Sequence, residues 1–278
     1  GCYPIWDTNH PVDIIAHSQG GQTARMLEYI LKYNNPGEDS ELLSNKHNGW
    51  IKSITTISTP HNGTILADII SNNLPFLQKI TPFFGIMDDS AVENFYSFDL
   101  EQWDIDREED ESTSNYLKRL SKSPIKESKN FSAWDVSIAG AKSFNDIYET
   151  DANVYYFSYS TYSTREISNK THIPDSNMSL KLWPSALIIG QSAKLGTDWN
   201  MNDGIVNTIS MKYPINTNNQ EAPNKIFNEE EINKGIWQVM DPIHMDHNVV
   251  IGHGISESDK DKLKSFFLKV CERLYRLD

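Results

Sequence analysis

Short β-branched runs alternate along this chain with longer stretches in which apolar residues recur every three or four positions. VDIIAH (12–17) is apolar and β-branched and reads as a strand. It passes directly into QGGQTARMLEYILKY (19–33), where Ala24, Leu27, Ile30 and Leu31 fall at helical spacing. WIKSITTIST (50–59), rich in Ile and Thr and stopped by Pro60, predicts a second strand. NVYYFSYST (153–161) predicts an aromatic third, and GIWQVM (235–240) a last short one. SESDKDKLKSFFLKVCERLYRL (256–277) closes as an amphipathic helix. Ser256 and Asp259 at its start are spaced like a capping box, with Asp in the Glu place. Strands alternating with helices predict an α/β fold with a mainly parallel sheet flanked by helices.

Two stretches read as insertions in a single domain covering 1–278. The first, 64–131, is mostly helical and loop. It carries Leu74, Phe76, Leu77, Ile80, Phe83, Phe84 and Ile86 within NNLPFLQKITPFFGIM, and the charged run DIDREEDE (104–111), which reads as a solvated loop. The second, 162–202, is polar and turn-rich around KLWPSALII.

Composition narrows the function. The chain has 278 residues, 38% of them hydrophobic, enough for one sizeable core. Its formal net charge is −13, from 25 Lys and Arg against 38 Asp and Glu, which argues against a nucleic-acid partner because like charges repel. No apolar run reaches the ~18 residues of a membrane span, and no signal peptide is visible. Cys2 and Cys271 have no metal-ligand spacing. Asn62, Asn130, Asn169 and Asn177 head N-x-S/T sequons, which matter only in a eukaryotic secretory pathway.

Chemistry enters at Ala16-His17-Ser18-Gln19-Gly20, a variant of G-x-S-x-G that follows a strand and opens a helix. A strand that turns sharply into a helix lifts the serine clear at the carboxyl edge of the sheet. Bulky residues two before or two after would collide, and Ala16 and Gly20 lack that bulk. Gly21 lets the helix approach closely. The helix N-terminus turns unpaired N–H groups toward the serine, so the Gln19 amide is a candidate oxyanion donor. A nucleophilic serine needs a base, and the base an orienting acid. On folds with this motif the order is Ser, acid, His. His10 and His17 lie too early, and His47, His61 and His172 precede the acid positions. The loop 241–255 offers His244, His247 and His253. Asp203, before Gly204 in a turn, is the candidate acid. Spacing alone leaves the three histidines open.

The chain resembles the large bacterial true lipases of the staphylococcal and thermoalkaliphilic bacillar group, members of the α/β-hydrolase fold. HPVDIIAHSQGGQTARML, SITTISTPHNGT, FDLEQW, NYLKRLSKSPI, DVSIAGAKSFN, NDGIVNTISM and KGIWQVM with MDHNVVIG occur in that family's order. The resemblance implies that Ser18 is the nucleophile, Asp203 the triad acid, His247 the general base and Gln19 the residue whose amide helps form the oxyanion hole. It implies that the insert after Thr64 is a lid, that the substrates are acylglycerol esters met at a lipid–water interface, and that the protein is secreted.

Departures from the family matter as well. Only 17 residues precede Ser18, so the expectation is either a fragment that starts after the family's early strands and the His-Gly segment that gives a second oxyanion amide, or a protein that lacks them. Losing one such donor typically costs ~10²–10³ in rate. The family's zinc-binding Asp is matched by Asn130, a poor ligand, and its calcium carboxylates by Val249 and Gly254. The expectation is therefore no metal and no cofactor. The alternative to an ester hydrolase is a weakened or inactive lipid- or partner-binding α/β-hydrolase module.

Overall fold

The computed structural model describes residues 5–33, 45–68, 132–192 and 195–277, with residues 108, 111, 115, 119 and 129. Most of the 64–131 insertion, with Phe76, Phe83, Phe84 and Asn130, lies outside the described residues, as does Cys2. The elements that build the site are β1 (Val12–His17), α1 (Gln19–Tyr33), β2 (Ile51–Ile57), α2 (Ser132–Asp135), α3 (Ile138–Ile147) and β3 (Tyr155–Tyr159). They continue with β4 (Thr161–Tyr162), β5 (Thr164–Ser168), β6 (Thr171–Pro174), α4 (Trp183–Gly190), β7 (Asn224–Ile226), β8 (Trp237–Val239), β9 (Ile243–His244) and α5 (Glu257–Tyr275).

Five strands form one sheet in the order β1-β2-β3-β8-β7, and every pairing in it is parallel. Register runs from Asp13 opposite Ser53 to His17 opposite Ile57, and from Ser53 opposite Tyr155 to Ile57 opposite Tyr159. A parallel sheet covered on both faces buries its inner strands throughout, and β2 is buried along almost its whole length. On one face Ala24 and Leu31 of α1 pack with Ile54, Tyr156 and Trp237. On the other, Val270 and Leu274 of α5 pack with Ile57, Phe157 and Tyr159. Each fully buried Ile or Phe of this kind contributes ~1.5–3 kcal/mol. The mainly parallel sheet flanked by helices is the predicted architecture.

Three details differ from the sequence reading. The stretch 153–161 breaks after Tyr159. β4 then leaves the main sheet and pairs in parallel with β9, so GIWQVM is not the last strand. The stretch 162–202 is more ordered than its polarity suggests. It holds the antiparallel hairpin β5–β6, turned by Asn169 and Lys170 at φ 47° and 57°, and the helix α4, which buries Ala186 and Ile189. At the start of α5, Ser256 is the N-cap, but its hydroxyl donates to Asp259 Oδ2 (2.6 Å) and makes no capping bond to the backbone. An Asp is one methylene shorter than the Glu that a capping box uses to reach back.

The buried stripe of α1 also departs from its apolar spacing. Arg25 and Glu28 are buried, whereas Leu27 and Ile30 are only partly so. Long-range partners make this tolerable. The Arg25 guanidinium donates to Asn145 Oδ1 (2.7 Å) and lies over the rings of Phe144 and Tyr148, 4.7 and 4.3 Å from their centroids. Glu28 accepts hydrogen bonds from the hydroxyls of Tyr148 and Tyr156. Burial pushes the Glu28 carboxyl up to about 7 despite these two donors.

Candidate active site

The carboxyl ends of the parallel strands present the polar residues of the site. β1 ends at His17, and Ser18 turns the chain into α1 with φ 54°, a left-handed conformation that a non-glycine residue rarely adopts. The Ser18 amide still donates to Ile57 O (2.9 Å), so the strand ladder holds the turn in place. A Cβ on Gly20 would lie 3.8 Å from the Ala16 Cβ, an ordinary van der Waals contact. A Cβ on Gly21 would lie 2.1 Å from Thr59 Oγ1, so α1 can approach β2 only with glycine at 21. Gln19 opens α1, among amides with no acceptor inside the helix. Its side chain is tied down: Nε2 donates to Asp135 Oδ2 (3.4 Å), and Oε1 accepts from the Ser132 hydroxyl (2.5 Å).

Ser18, Asp203 and His247 meet at this edge. The Ser18 hydroxyl is 2.9 Å from His247 Nε2, and His247 Nδ1 is 2.8 Å from Asp203 Oδ2. A carboxylate only accepts, so Nδ1 carries the proton and Nε2 is free to accept one from the serine. Asp203 is fully buried. Burial alone would raise its pKa, but the imidazole of His247 and the hydrogen bonds from Val206 N and Thr161 outweigh it and hold the carboxyl below its ordinary range. Its Oδ1 accepts from the amides of Ile205 (3.0 Å) and Val206 (2.8 Å), and its Oδ2 also accepts from the Thr161 hydroxyl (2.7 Å).

The turn that carries Asp203 is braced by the polar residues of two motifs. Gly204 sits at φ 101°, and Asn202 Oδ1 accepts its amide (2.9 Å). The Thr64 hydroxyl donates to Ile205 O (2.7 Å), the Ser210 hydroxyl to Gly63 O (2.6 Å), and Asn207 Oδ1 accepts from Ile65 N (3.0 Å). STPHNGT and NDGIVN are therefore buried polar loops that satisfy one another's backbone. Asn62 belongs to this lattice, fully buried and donating to Tyr213 O (2.8 Å), which removes it as a glycan acceptor.

His247 is held from both sides. His17 Nε2 donates to the His247 carbonyl (2.9 Å), and the two rings lie 4.6 Å apart. Burial and the neighbouring imidazole push His17 down to about 4, so it is the neutral donor at neutral pH. Asp246 accepts from Asn248 N (3.0 Å), Val249 N (2.9 Å) and Ser179 N (2.9 Å), which fixes the short 3-10 helix after His247. The other two histidines of the loop point elsewhere. His244 stacks on Tyr162 and bonds to Asp175 Oδ2 (2.8 Å), and His253 is exposed.

Neither Val249 nor Gly254 offers a side-chain oxygen. The nearby carboxylate of Asp246 is already occupied by three backbone amides, so a calcium ion does not fit this donor set. Among the described residues, no group of three or more His, Cys, Asp or Glu is placed to hold a metal. Sequence reading passed over Thr161, which reaches Asp203 from another strand, and Ser58, whose hydroxyl lies 2.7 Å from that of Thr161. The only local signal for either is a polar residue at the carboxyl end of an apolar run.

Residues 1–278 match the family described as "Lipase-like, C-terminal domain". The chain belongs to this family. It is 32% identical to a lipase of Staphylococcus hyicus over 291 residues, covering 100% of this chain and 44% of that lipase. It is 31% identical to a lipase of Staphylococcus epidermidis, over 99% of this chain and 40% of that one. The chain thus spans less than half the length of these curated relatives. Its fold superposes on the crystal structure of the S. hyicus lipase with a TM-score of 0.78, covering 98% of this chain and 71% of that one at 32% identity. On EstA of Clostridium botulinum the TM-score is 0.80, covering 96% and 66% at 28% identity. This member of the lipase-like family has an α/β-hydrolase fold, and no described helix is long and apolar enough to cross a membrane.

Proposed function

We propose that this chain carries the hydrolytic site of a lipase-like carboxylic ester hydrolase, with Ser18, His247 and Asp203 as its triad and acylglycerol esters as its substrates. One observation carries the reading. Three side chains that are distant in sequence form one hydrogen-bonded line, Ser18 to His247 at 2.9 Å and His247 to Asp203 at 2.8 Å. Ser18 Oγ attacks the ester carbonyl while His247 Nε2 takes its proton. The imidazolium is stabilised by Asp203, which stays ionised, and the oxyanion is met by the Gln19 amide. His247 then returns the proton to the departing alcohol, and water clears the acyl-enzyme by the same steps in reverse roles. The same reading treats 1–278 as one α/β-hydrolase unit with a lid at 64–131 and a second insert at 162–202, and the protein as secreted. Family membership and the match over the whole chain support it.

The test is hydrolysis of p-nitrophenyl acyl esters by the wild type and by Ser18→Ala, with fluorophosphonate labelling of both. Ser18→Ala should lower kcat by about 10⁶ and abolish labelling. Equal hydrolysis by the two proteins refutes the assignment. Binding of a fatty ester without turnover and without covalent labelling at Ser18 replaces it with the non-catalytic module, and covalent labelling at Ser18 counts strongly against that module.

A further inference from the structure

Behind the carboxylate of Asp203 lies a second line of hydroxyls that the proton transfers do not use. Ser58 follows β2 just as Ser18 follows β1. Both have φ 54°, and the Ser58 amide donates to Tyr159 O (2.9 Å) as the Ser18 amide does to Ile57 O. This bend sets the Ser58 hydroxyl 2.7 Å from Thr161 Oγ1, which in turn lies 2.7 Å from Asp203 Oδ2. Ser58 and Thr161 are both fully buried, so bulk water does not compete for either hydroxyl.

The direction of the line follows from its end. Asp203 is an ionised carboxylate and can only accept, so Thr161 donates to it. The Met211 thioether, 3.4 Å from Thr161 Oγ1, is a weak acceptor and does not draw that proton away. With its one proton spent, Thr161 must accept at the 2.7 Å contact, so Ser58 is the donor there. The amides of Ile205 and Val206 hold Oδ1 from the aspartate's own turn. Thr161 is the group that fixes Oδ2 from outside that turn, the oxygen that also faces His247 Nδ1.

We propose that Thr161, oriented by Ser58, is a positioning residue of this site: it holds Asp203 Oδ2 in line with His247 and takes up part of the carboxylate's negative charge. This rests on the ester-hydrolase reading of Ser18, His247 and Asp203. Removing the hydroxyl takes one donor from Oδ2, so that oxygen is held less firmly in line with His247 and is more negative toward the imidazole. The first effect lowers turnover, and the second favours the protonated imidazole and moves the acid limb of the pH profile upward.

Thr161→Val keeps the shape and deletes the hydroxyl. Its kcat on p-nitrophenyl esters should fall about tenfold with KM within about twofold, the size of one charge-assisted hydrogen bond. The acid limb of its kcat/KM profile should move to higher pH by about half a unit. Thr161→Ser should restore both. A readout independent of turnover is the downfield ¹H resonance of the His247 Nδ1 proton, which should move in Thr161→Val and return in Thr161→Ser. Wild-type kcat, profile and resonance in Thr161→Val overturn the proposal. If the wild type hydrolyses no ester, the functional reading fails and the resonance alone decides the hydroxyl line. If Thr161→Val does not fold, Ser58→Ala should show the same changes at smaller amplitude, and wild-type values there overturn the proposal.

Discussion

Replacing Glu28 by Gln removes a carboxyl that folding drags into the interior. In the folded chain its pKa is raised from 4.5 to about 7, because burial penalises the charged form more than the hydroxyls of Tyr148 and Tyr156 favour it. Asp151 adds repulsion, and Arg25 offsets part of it. The sign follows from proton binding. Between pH 4.5 and about 7 the folded state keeps a proton on Glu28 that the unfolded state has lost, so wild-type stability falls as pH rises through this window. At 1.36 kcal/mol per pH unit the loss is about 3 kcal/mol by pH 8. Gln is neutral throughout and can still accept from a tyrosine. Glu28→Gln should therefore match the wild type at pH 4.5 and exceed it by about 3 kcal/mol at pH 8.

Comparing the two proteins is essential, because another buried group acts in the opposite sense. His61 is fully buried, and burial, then Arg25, hold its pKa well below 6.5. Below pH 6.5 the unfolded state binds a proton there that the folded state refuses, so this term makes stability rise with pH. The two trends oppose each other in the wild type, and the difference between variant and wild type isolates Glu28. The assay is urea unfolding followed by tryptophan fluorescence at pH 4.5, 6, 7 and 8. A stability difference that stays constant across this range, or that turns against Glu28→Gln as pH rises, refutes the account. Such a result would mean that Arg25 and the two phenols hold the carboxylate charged.

Two other outcomes test the site and its support. Asp203→Asn keeps an oxygen for the amides of Ile205 and Val206 but turns an NH₂ toward His247 Nδ1, forcing the wrong tautomer. It should lower kcat by about 10⁴ in steady-state ester hydrolysis while thermal stability stays close to wild type, and unchanged kcat contradicts the role of Asp203. Gly21→Ala places a Cβ 2.1 Å from Thr59 Oγ1 and 2.6 Å from Thr59 Cγ2, contacts that α1 relieves only by moving away from β2. It should lower unfolding free energy by about 1–3 kcal/mol in chemical denaturation, and a neutral or stabilising result contradicts the close approach of α1.

The sequence by itself determined the features whose causes are local. An apolar β-branched run, a serine between small residues and a helical repeat make a strand, a sharp turn and a helix wherever they occur together, so VDIIAHSQGGQ showed the position of Ser18. Asp203 before a turn glycine was readable in the same way. Three histidines in one loop were equivalent by spacing. The family resemblance pointed to His247, and the fold brings that residue, rather than His244 or His253, beside Ser18, with β9 paired to β4. Tertiary structure alone decided that Arg25 and Glu28 turn inward, since residue type assigns both to water. Their partners Asn145, Tyr148 and Tyr156 lie 120 or more residues further along the chain. The hydroxyls of Ser58 and Thr161 meet for the same reason. Strand register, set by backbone pairing over long separations, aligns side chains that no local pattern links, and a buried polar group is stable only where such a partner arrives.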